Sequence, residues 1–247
     1  MHVSGLPFSF SVTGDPRLGG PATFDVALGH NVAVEAFDQL RCVVVWFANL
    51  AQAGALGGEH LSPLDGAGLL VSDEPVASGS VQRWQFSALR VAPEALTVLA
   101  NLTWATGLDI QHASFAASQG AFPKPLQCDE FPEAYSPLSF PLDDSRVDRN
   151  VTLVVDFASD LADDDAEQLA DTLRVWSLVS ALGGFRTPGP LRAAMDATPE
   201  DDPEVELDQL TFALRVPTLH DAAFDALANL LDRFSRQRSP IQRVTLE

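Results

Sequence analysis

The chain has little positive charge. Its 247 residues include 15 lysines and arginines against 34 aspartates and glutamates, so the formal net charge is −19 at pH 7. Nucleic-acid binding requires a basic surface that displaces counterions from phosphates, and adsorption to an anionic bilayer requires one as well. We therefore expect neither a nucleic-acid partner nor a membrane partner. The charge suits a basic protein partner, although an acidic surface also raises solubility without any partner.

Long hydrophobic runs and cysteines are also scarce. No apolar stretch approaches the ~20 residues of a membrane-spanning helix, and residues 1–6 lack the basic and apolar regions of a signal peptide. Two cysteines, Cys42 and Cys128, are too few for a disulfide framework. We expect a soluble protein of the reducing cytoplasm.

Motifs for catalysis and cofactor binding are missing too. No serine lies in a Gly-x-Ser-x-Gly pattern, and the glycines match neither a phosphate-binding loop nor a dinucleotide-binding pattern. The five histidines are scattered, without further metal ligands at a suitable spacing. We predict no catalytic residue, no metal site and no cofactor.

The chain does contain an internal repeat. Ala88-Leu89-Arg90-Val91 returns as Ala213-Leu214-Arg215-Val216 at an offset of 125, and Leu99-Ala100-Asn101-Leu102 returns as Leu227-Ala228-Asn229-Leu230 at an offset of 128. Further pairs keep the same order: Phe8-Ser9-Phe10 with Leu138-Ser139-Phe140, Thr23-Phe24 with Thr152-Leu153, Gln39-Leu40 with Gln168-Leu169, and Gly54 with Gly183. The collinear series predicts two copies of one unit, residues 1–117 and 137–247, joined by a proline-containing linker over 118–136.

Each copy shows the same succession of hydrophobic periods. Alternating segments predict strands and three- and four-residue steps predict amphipathic helices, in the order βαββαβ after one extra N-terminal strand. The extra strands are Pro7–Val12 and Leu138–Leu142. In the first copy we predict strands at Thr23–Leu28, Leu69–Val71, Val81–Val91 and Leu108–Phe115 and helices at 31–53 and 93–107. In the second we predict strands at Val151–Phe157, Leu207–Val216 and Ile241–Leu246 and helices at Asp164–Leu182 and Thr218–Gln237. This order is that of the ferredoxin-like fold, in which two helices cover one face of a four-stranded sheet. The predicted fold class is α+β, with two tandem ferredoxin-like domains.

The uncovered faces of the two sheets need a partner. If Leu89 and Val91 face the helices, alternation places Trp84, Phe86 and Arg90 on the open face. Large apolar side chains are seldom left in water, so we expect the two open faces to pack sheet to sheet around a pseudo-twofold axis. Such an internal dimer is similar, at the level of the fold, to the dimeric α/β-barrel superfamily.

Charged residues on these open faces are the candidate ligand-binding residues. Repeated arginines could hold a carboxylate or phosphate through bidentate hydrogen bonds. The candidates are Arg90, Arg215, Asp25, Asp156, His112 and Trp84. Alternatively, the arginines and aspartates pair with one another across the interface.

Three functions remain open. The first is an acidic, non-enzymatic binding protein that acts through a protein partner, either basic or a second copy of itself. The second is a small-molecule enzyme or ligand-binder with an anion-accepting pocket between the two sheets. The third is a structural subunit of a larger assembly, in which an edge strand such as Phe8–Val12 pairs with a neighbour.

Overall fold

The computed structural model describes residues 2–18, 20–29, 34–57, 76–78, 80–86, 89–117, 149–187, 203–216 and 221–246. Within these ranges the protein is a mixed α+β structure with four α-helices and two sheets. The helices are α1 (Val34–Gln52), α2 (Leu96–Ala105), α3 (Asp163–Ala181) and α4 (Asp221–Gln237). The strands are β1 (His2–Val3), β2 (Ser9–Thr13), β3 (Ala22–Leu28), β4 (Val76–Ser78), β5 (Val81–Phe86), β6 (Ile110–Ala117), β7 (Arg149–Phe157), β8 (Glu204–Glu206), β9 (Gln209–Val216) and β10 (Ile241–Leu246).

The strands form one sheet from each half of the chain. The first sheet has the order β1-β2-β6-β3-β5-β4 and the second has the order β10-β7-β9-β8. Neighbouring strands are antiparallel except β2 and β6, which run parallel. The expectation that Phe8–Val12 is an edge strand is wrong, because β2 is hydrogen-bonded to β1 on one side and β6 on the other.

Some predicted features lie outside the described residues. These are the linker over 118–136, the extra strand Leu138–Leu142 and the short strand Leu69–Val71. The predicted boundary between the two copies therefore stays a prediction. None of the described helices is both long and apolar enough to cross a bilayer.

Trp84 and Phe86 lie on the opposite face of the first sheet from the one predicted. Trp84 stands directly across from Phe24 in the ladder of β3 and β5, with ring centroids 6.0 Å apart, and both rings are fully buried. Directly paired residues point to the same side of a sheet, so Trp84 and Phe86 face the helices. The predicted face is wrong because β5 ends at Phe86. Leu89 and Val91 lie beyond the strand, and alternation cannot be counted back from them.

The two halves meet through their helices. α1 packs against α3, and Asn101 of α2 donates hydrogen bonds to the carbonyl oxygens of Gly184 (2.9 Å) and Arg186 (2.6 Å), just beyond α3. The expected sheet-to-sheet packing, and with it the likeness to dimeric α/β-barrels, is therefore wrong. The large apolar side chains that would have required it, Trp84 and Phe86, are already covered by the protein's own interior.

This arrangement produces one continuous core. Buried apolar side chains of both halves belong to a single cluster, because the helices of the two halves share an interface. Trp176 of α3 is fully buried within it, and its indole Nε1 donates a 2.8 Å hydrogen bond to the carbonyl oxygen of Ala223 in α4. Stability of the two halves is therefore coupled through α1 and α3.

Glycine ends both central helices, as the sequence predicts. Gly54 and Gly183 follow α1 and α3 with φ of +82° and +75°, a conformation in which glycine avoids the steric penalty of a Cβ. The tight turns that result allow close packing between the halves. At Gly184 an added Cβ would lie 3.4 Å from Cγ1 of Val98 in α2.

Candidate functional site

In the described part of the chain, the packed helices α1 and α3, rather than the expected pocket, lie where the two halves meet. The six predicted residues are distributed over separate parts of the molecule instead. Arg90 lies beyond the end of β5, half-buried, and its Nε donates a 2.9 Å hydrogen bond to the carbonyl oxygen of Arg17. Arg215 lies in β9, where its backbone pairs with Asn150; its side chain lies outside the described part. Trp84 belongs to the core.

His112 and Asp25 share the outer face of the first sheet. The Nδ1 atom of His112 lies 2.7 Å from Oγ of Ser9, and its Nε2 atom lies 3.5 Å from Oγ of Ser11. Asp25 accepts two hydrogen bonds from the guanidinium of Arg83, at 2.7 and 2.6 Å. A serine next to a histidine is one element of nucleophilic catalysis, but a third group must orient the imidazole. Asp25 is engaged by Arg83, so this row of side chains is best explained as cross-strand pairing on a solvated sheet face.

Asp156 lies on the outer face of the second sheet. Its carboxylate accepts hydrogen bonds from Nε2 of Gln209 (2.7 Å) and Nε of Arg243 (2.8 Å). These hydrogen bonds, that from Gln209 first, hold the pKa of Asp156 below its usual value. Asp25 and Asp156 are thus on different sheets, each paired within its own sheet. The structure does not bring the predicted arginines, aspartates and His112 together.

The lowered pKa of Asp156 leads to a pH-dependent prediction. A carboxyl group with a depressed pKa in the folded state stabilises the protein above its unfolded pKa, about 3.9, and that stabilisation is lost as the pH falls through the folded value. We expect Asp156→Asn to lower the free energy of unfolding at pH 7 by about 0.5–1 kcal/mol, since the carboxylate is partly solvated. Urea unfolding should show the deficit shrinking as the pH falls below about 4. Asp160→Asn, which removes an exposed carboxylate nearby, should show neither effect. A deficit for Asp156→Asn of constant size down to pH 2 would contradict the prediction.

The described surface contains a groove between α1 and α3. Its volume is about 480 Å³. One wall is a single face of α3, and the other is the C-terminal end of α1. The lining residues are Asp164, Glu167, Gln168, Asp171, Thr172 and Val175 from α3, with Asn49 and Gln52 from the end of α1 and Ala53 directly after it. We refer to these nine residues as the α1–α3 groove.

The charged residues that line the α1–α3 groove are all acidic. Asp164, Glu167 and Asp171 follow one another at steps of three and four residues, which places their carboxylates on one helix face. All three are exposed, and no lining residue is basic. Asp171 forms a salt bridge with Arg174, whose side chain lies outside the lining. Within the described residues no set of three or more His, Cys, Asp or Glu side chains is arranged to hold a metal ion.

The sequence carries a signal for half of this groove. The spacing of the acidic residues along α3 is visible in the sequence. Acidic residues at the start of a helix also interact favourably with the helix dipole, and this interaction explains them without a partner. The end of α1 that completes the groove lies more than a hundred residues earlier in the chain. Only the packing of α1 against α3 brings the two walls together.

Comparison with known proteins gives no indication of the function. No protein-family model matches the chain, and no curated protein is significantly similar to it.

Proposed function

We propose that this protein is an acidic, non-enzymatic binding protein whose α1–α3 groove receives a basic segment of a partner protein. The observation that carries the proposal is a groove lined by three exposed carboxylates, Asp164, Glu167 and Asp171, without a basic lining residue. Carboxylates at helical spacing match lysines or arginines at the same spacing on a partner helix. The net charge of −19 would speed the encounter with such a partner.

We also propose that each half is a ferredoxin-like unit derived from one duplicated ancestor. The order β6-β3-β5-β4 in the first sheet corresponds strand for strand to β10-β7-β9-β8 in the second. Helices follow β3 and β5 in the first half and the corresponding β7 and β9 in the second half. When Ile110-Gln111 is aligned with Ile241-Gln242 and Thr23 with Thr152, His112 matches Arg243 and Ala27 matches Asp156. Ala27 is paired with His112, and Asp156 is paired with Arg243, which supports this alignment. The shared helix interface then accounts for the open, polar outer faces of both sheets.

The binding proposal predicts a charge-specific loss of affinity. The probe is a fluorescein-labelled helical peptide with arginine at every third or fourth position, followed by fluorescence anisotropy. Replacing Asp164, Glu167 and Asp171 by Asn, Gln and Asn should weaken binding roughly tenfold, because exposed ion pairs contribute about 0.2–1 kcal/mol each. Affinity for the unaltered protein should also fall as the salt concentration rises.

A matched control separates the groove from the overall charge. Replacing Asp160, Glu204 and Glu206 by Asn, Gln and Gln removes three exposed carboxylates outside the groove and changes the net charge equally. This variant should keep the affinity within about twofold, because none of these three carboxylates lines the α1–α3 groove. Equal weakening by both triple variants would mean a nonspecific charge effect and would overturn the proposal. Unchanged affinity in the groove variant would overturn it as well.

A further inference from the structure

Strand β10 forms one edge of the second sheet in the described part of the chain. In the first sheet the corresponding position belongs to β6, but β6 is not an edge. There β2 pairs with β6 in parallel, and β1 pairs with β2. Beyond β10 the described residues supply no strand.

The apolar side chains of β10 are less buried than those of β6. In β6, Ala113 and Phe115 are completely buried. In β10, the corresponding Val244 and Leu246 pack against the core but remain partly exposed. Burial at β6 is completed by β2, whose Phe10 is itself fully buried. Among the described residues, the edge of β10 therefore has no strand partner for its backbone groups, and its apolar side chains are incompletely covered. This combination favours the addition of a strand.

We propose that this edge is a docking site for Leu138–Leu142 of the same chain, which would add a strand parallel to β10. The segment lies outside the described residues. Its sequence, Leu-Ser-Phe-Pro-Leu, has apolar residues at alternate positions, as does β2, and Leu138-Ser139-Phe140 matches Phe8-Ser9-Phe10. The register of β2 on β6, with Ser9 opposite His112 and Phe10 opposite Ala113, transfers to Ser139 opposite Arg243 and Phe140 opposite Val244. The proline at 141 suits a strand at the edge of a sheet.

The connection to β7 is long enough for this placement. Six residues separate Leu142 from Arg149, where β7 begins, and they can span about 20 Å when extended. The required sideways shift is two interstrand spacings, about 10 Å. In the first sheet eight residues make the same shift between Thr13 and Ala22. A tether this short also gives the segment an effective concentration in the millimolar range, which favours it over a second copy or another protein.

Disulfide trapping tests the site and its register. In a Cys42→Ser, Cys128→Ser background, Ser139→Cys combined with Arg243→Cys should form an intramolecular disulfide under mild oxidation, because directly opposed residues have suitable Cα spacing. Ser136→Cys with Arg243→Cys is the off-register control and should stay reduced. Mass spectrometry and non-reducing gels read both results. An intermolecular disulfide would identify a second copy as the occupant, and absence of any disulfide would leave the edge to another partner; either outcome overturns the proposal.

Thermal unfolding gives an independent measurement. Phe140→Ala should lower the melting temperature by roughly 5–10 °C, the shift expected when a packed aromatic side chain is lost from a protein of this size. The control Leu18→Ala removes an apolar side chain that is 56% exposed, and it should leave the melting temperature within about 1 °C. Equal shifts for the two variants would contradict the docking of Leu138–Leu142. The arginine-peptide affinity of the α1–α3 groove is expected to be unchanged in both, so the two proposals can fail separately.

Discussion

Replacing Trp176 by alanine is expected to lower the free energy of unfolding by about 3–5 kcal/mol, the range for removal of a fully buried aromatic side chain. Trp176 is among the largest fully buried residues of the described core. It also donates a hydrogen bond to the carbonyl oxygen of Ala223, so it joins α3 to α4. Alanine would remove both the packing contacts and the donor. Urea unfolding followed by circular dichroism measures the loss, and a stable domain has only about 5–15 kcal/mol available.

Trp176→Phe separates the two contributions. Phenylalanine keeps much of the ring packing and removes the indole donor, so we expect a smaller loss of about 1–3 kcal/mol. Trp46→Ala is the control for a tryptophan that is only partly buried; it should reduce the free energy of unfolding by less than half as much as Trp176→Ala. If Trp46→Ala and Trp176→Ala were equally destabilising, the described burial of Trp176 would not explain its effect.

The second large effect is expected at Asn101. Its side-chain amide links α2 to the turn after α3 through two hydrogen bonds to the carbonyl oxygens of Gly184 and Arg186. Asn101→Ala would leave two carbonyl oxygens without this donor at the interface between the halves. Because a buried polar group without its partner costs about 1–3 kcal/mol, we expect a total loss of about 3 kcal/mol. Chemical denaturation of the variant measures the loss directly.

The repeat provides a matched control in Asn229. This residue holds the same place as Asn101 in the second Leu-Ala-Asn-Leu sequence and is almost equally buried, at 7% against 6% exposed. Its Nδ2 atom has no hydrogen-bond partner among the described residues. Asn229→Ala should therefore reduce the free energy of unfolding by less than about 1 kcal/mol. Similar losses for both variants would show that the amide hydrogen bonds of Asn101 do not hold the halves together.

The local structure of the chain follows closely from its sequence. The predicted helix over residues 31–53 corresponds to α1, and the predicted strand Ile241–Leu246 corresponds to β10 without a shift of either end. Gly54 and Gly183 end α1 and α3 in the left-handed conformation. These features depend on neighbouring residues alone, through hydrophobic periodicity and the conformational freedom of glycine.

The predicted site failed at the step from local to tertiary structure. Counting alternate residues back from Leu89 predicts that Trp84 lies on the open face, but this count passes the end of β5. The sequence predicts that Asp25 and Asp156 share one pocket, but they lie on different sheets and pair with Arg83 and Arg243. A strand pattern shows that two faces differ. It does not show where the strand stops or which element covers each face.

The sequence by itself determined where the four helices and the longer strands form and that the chain is acidic, because periodicity and charge are properties of short segments and of composition. Only the tertiary structure decided that the halves meet through α1 and α3 rather than through their sheets. That choice depends on which apolar surfaces complement each other in shape, and residues distant in the chain settle it together. The α1–α3 groove has the same origin, since its two walls come from opposite halves and form a cavity only after these have packed.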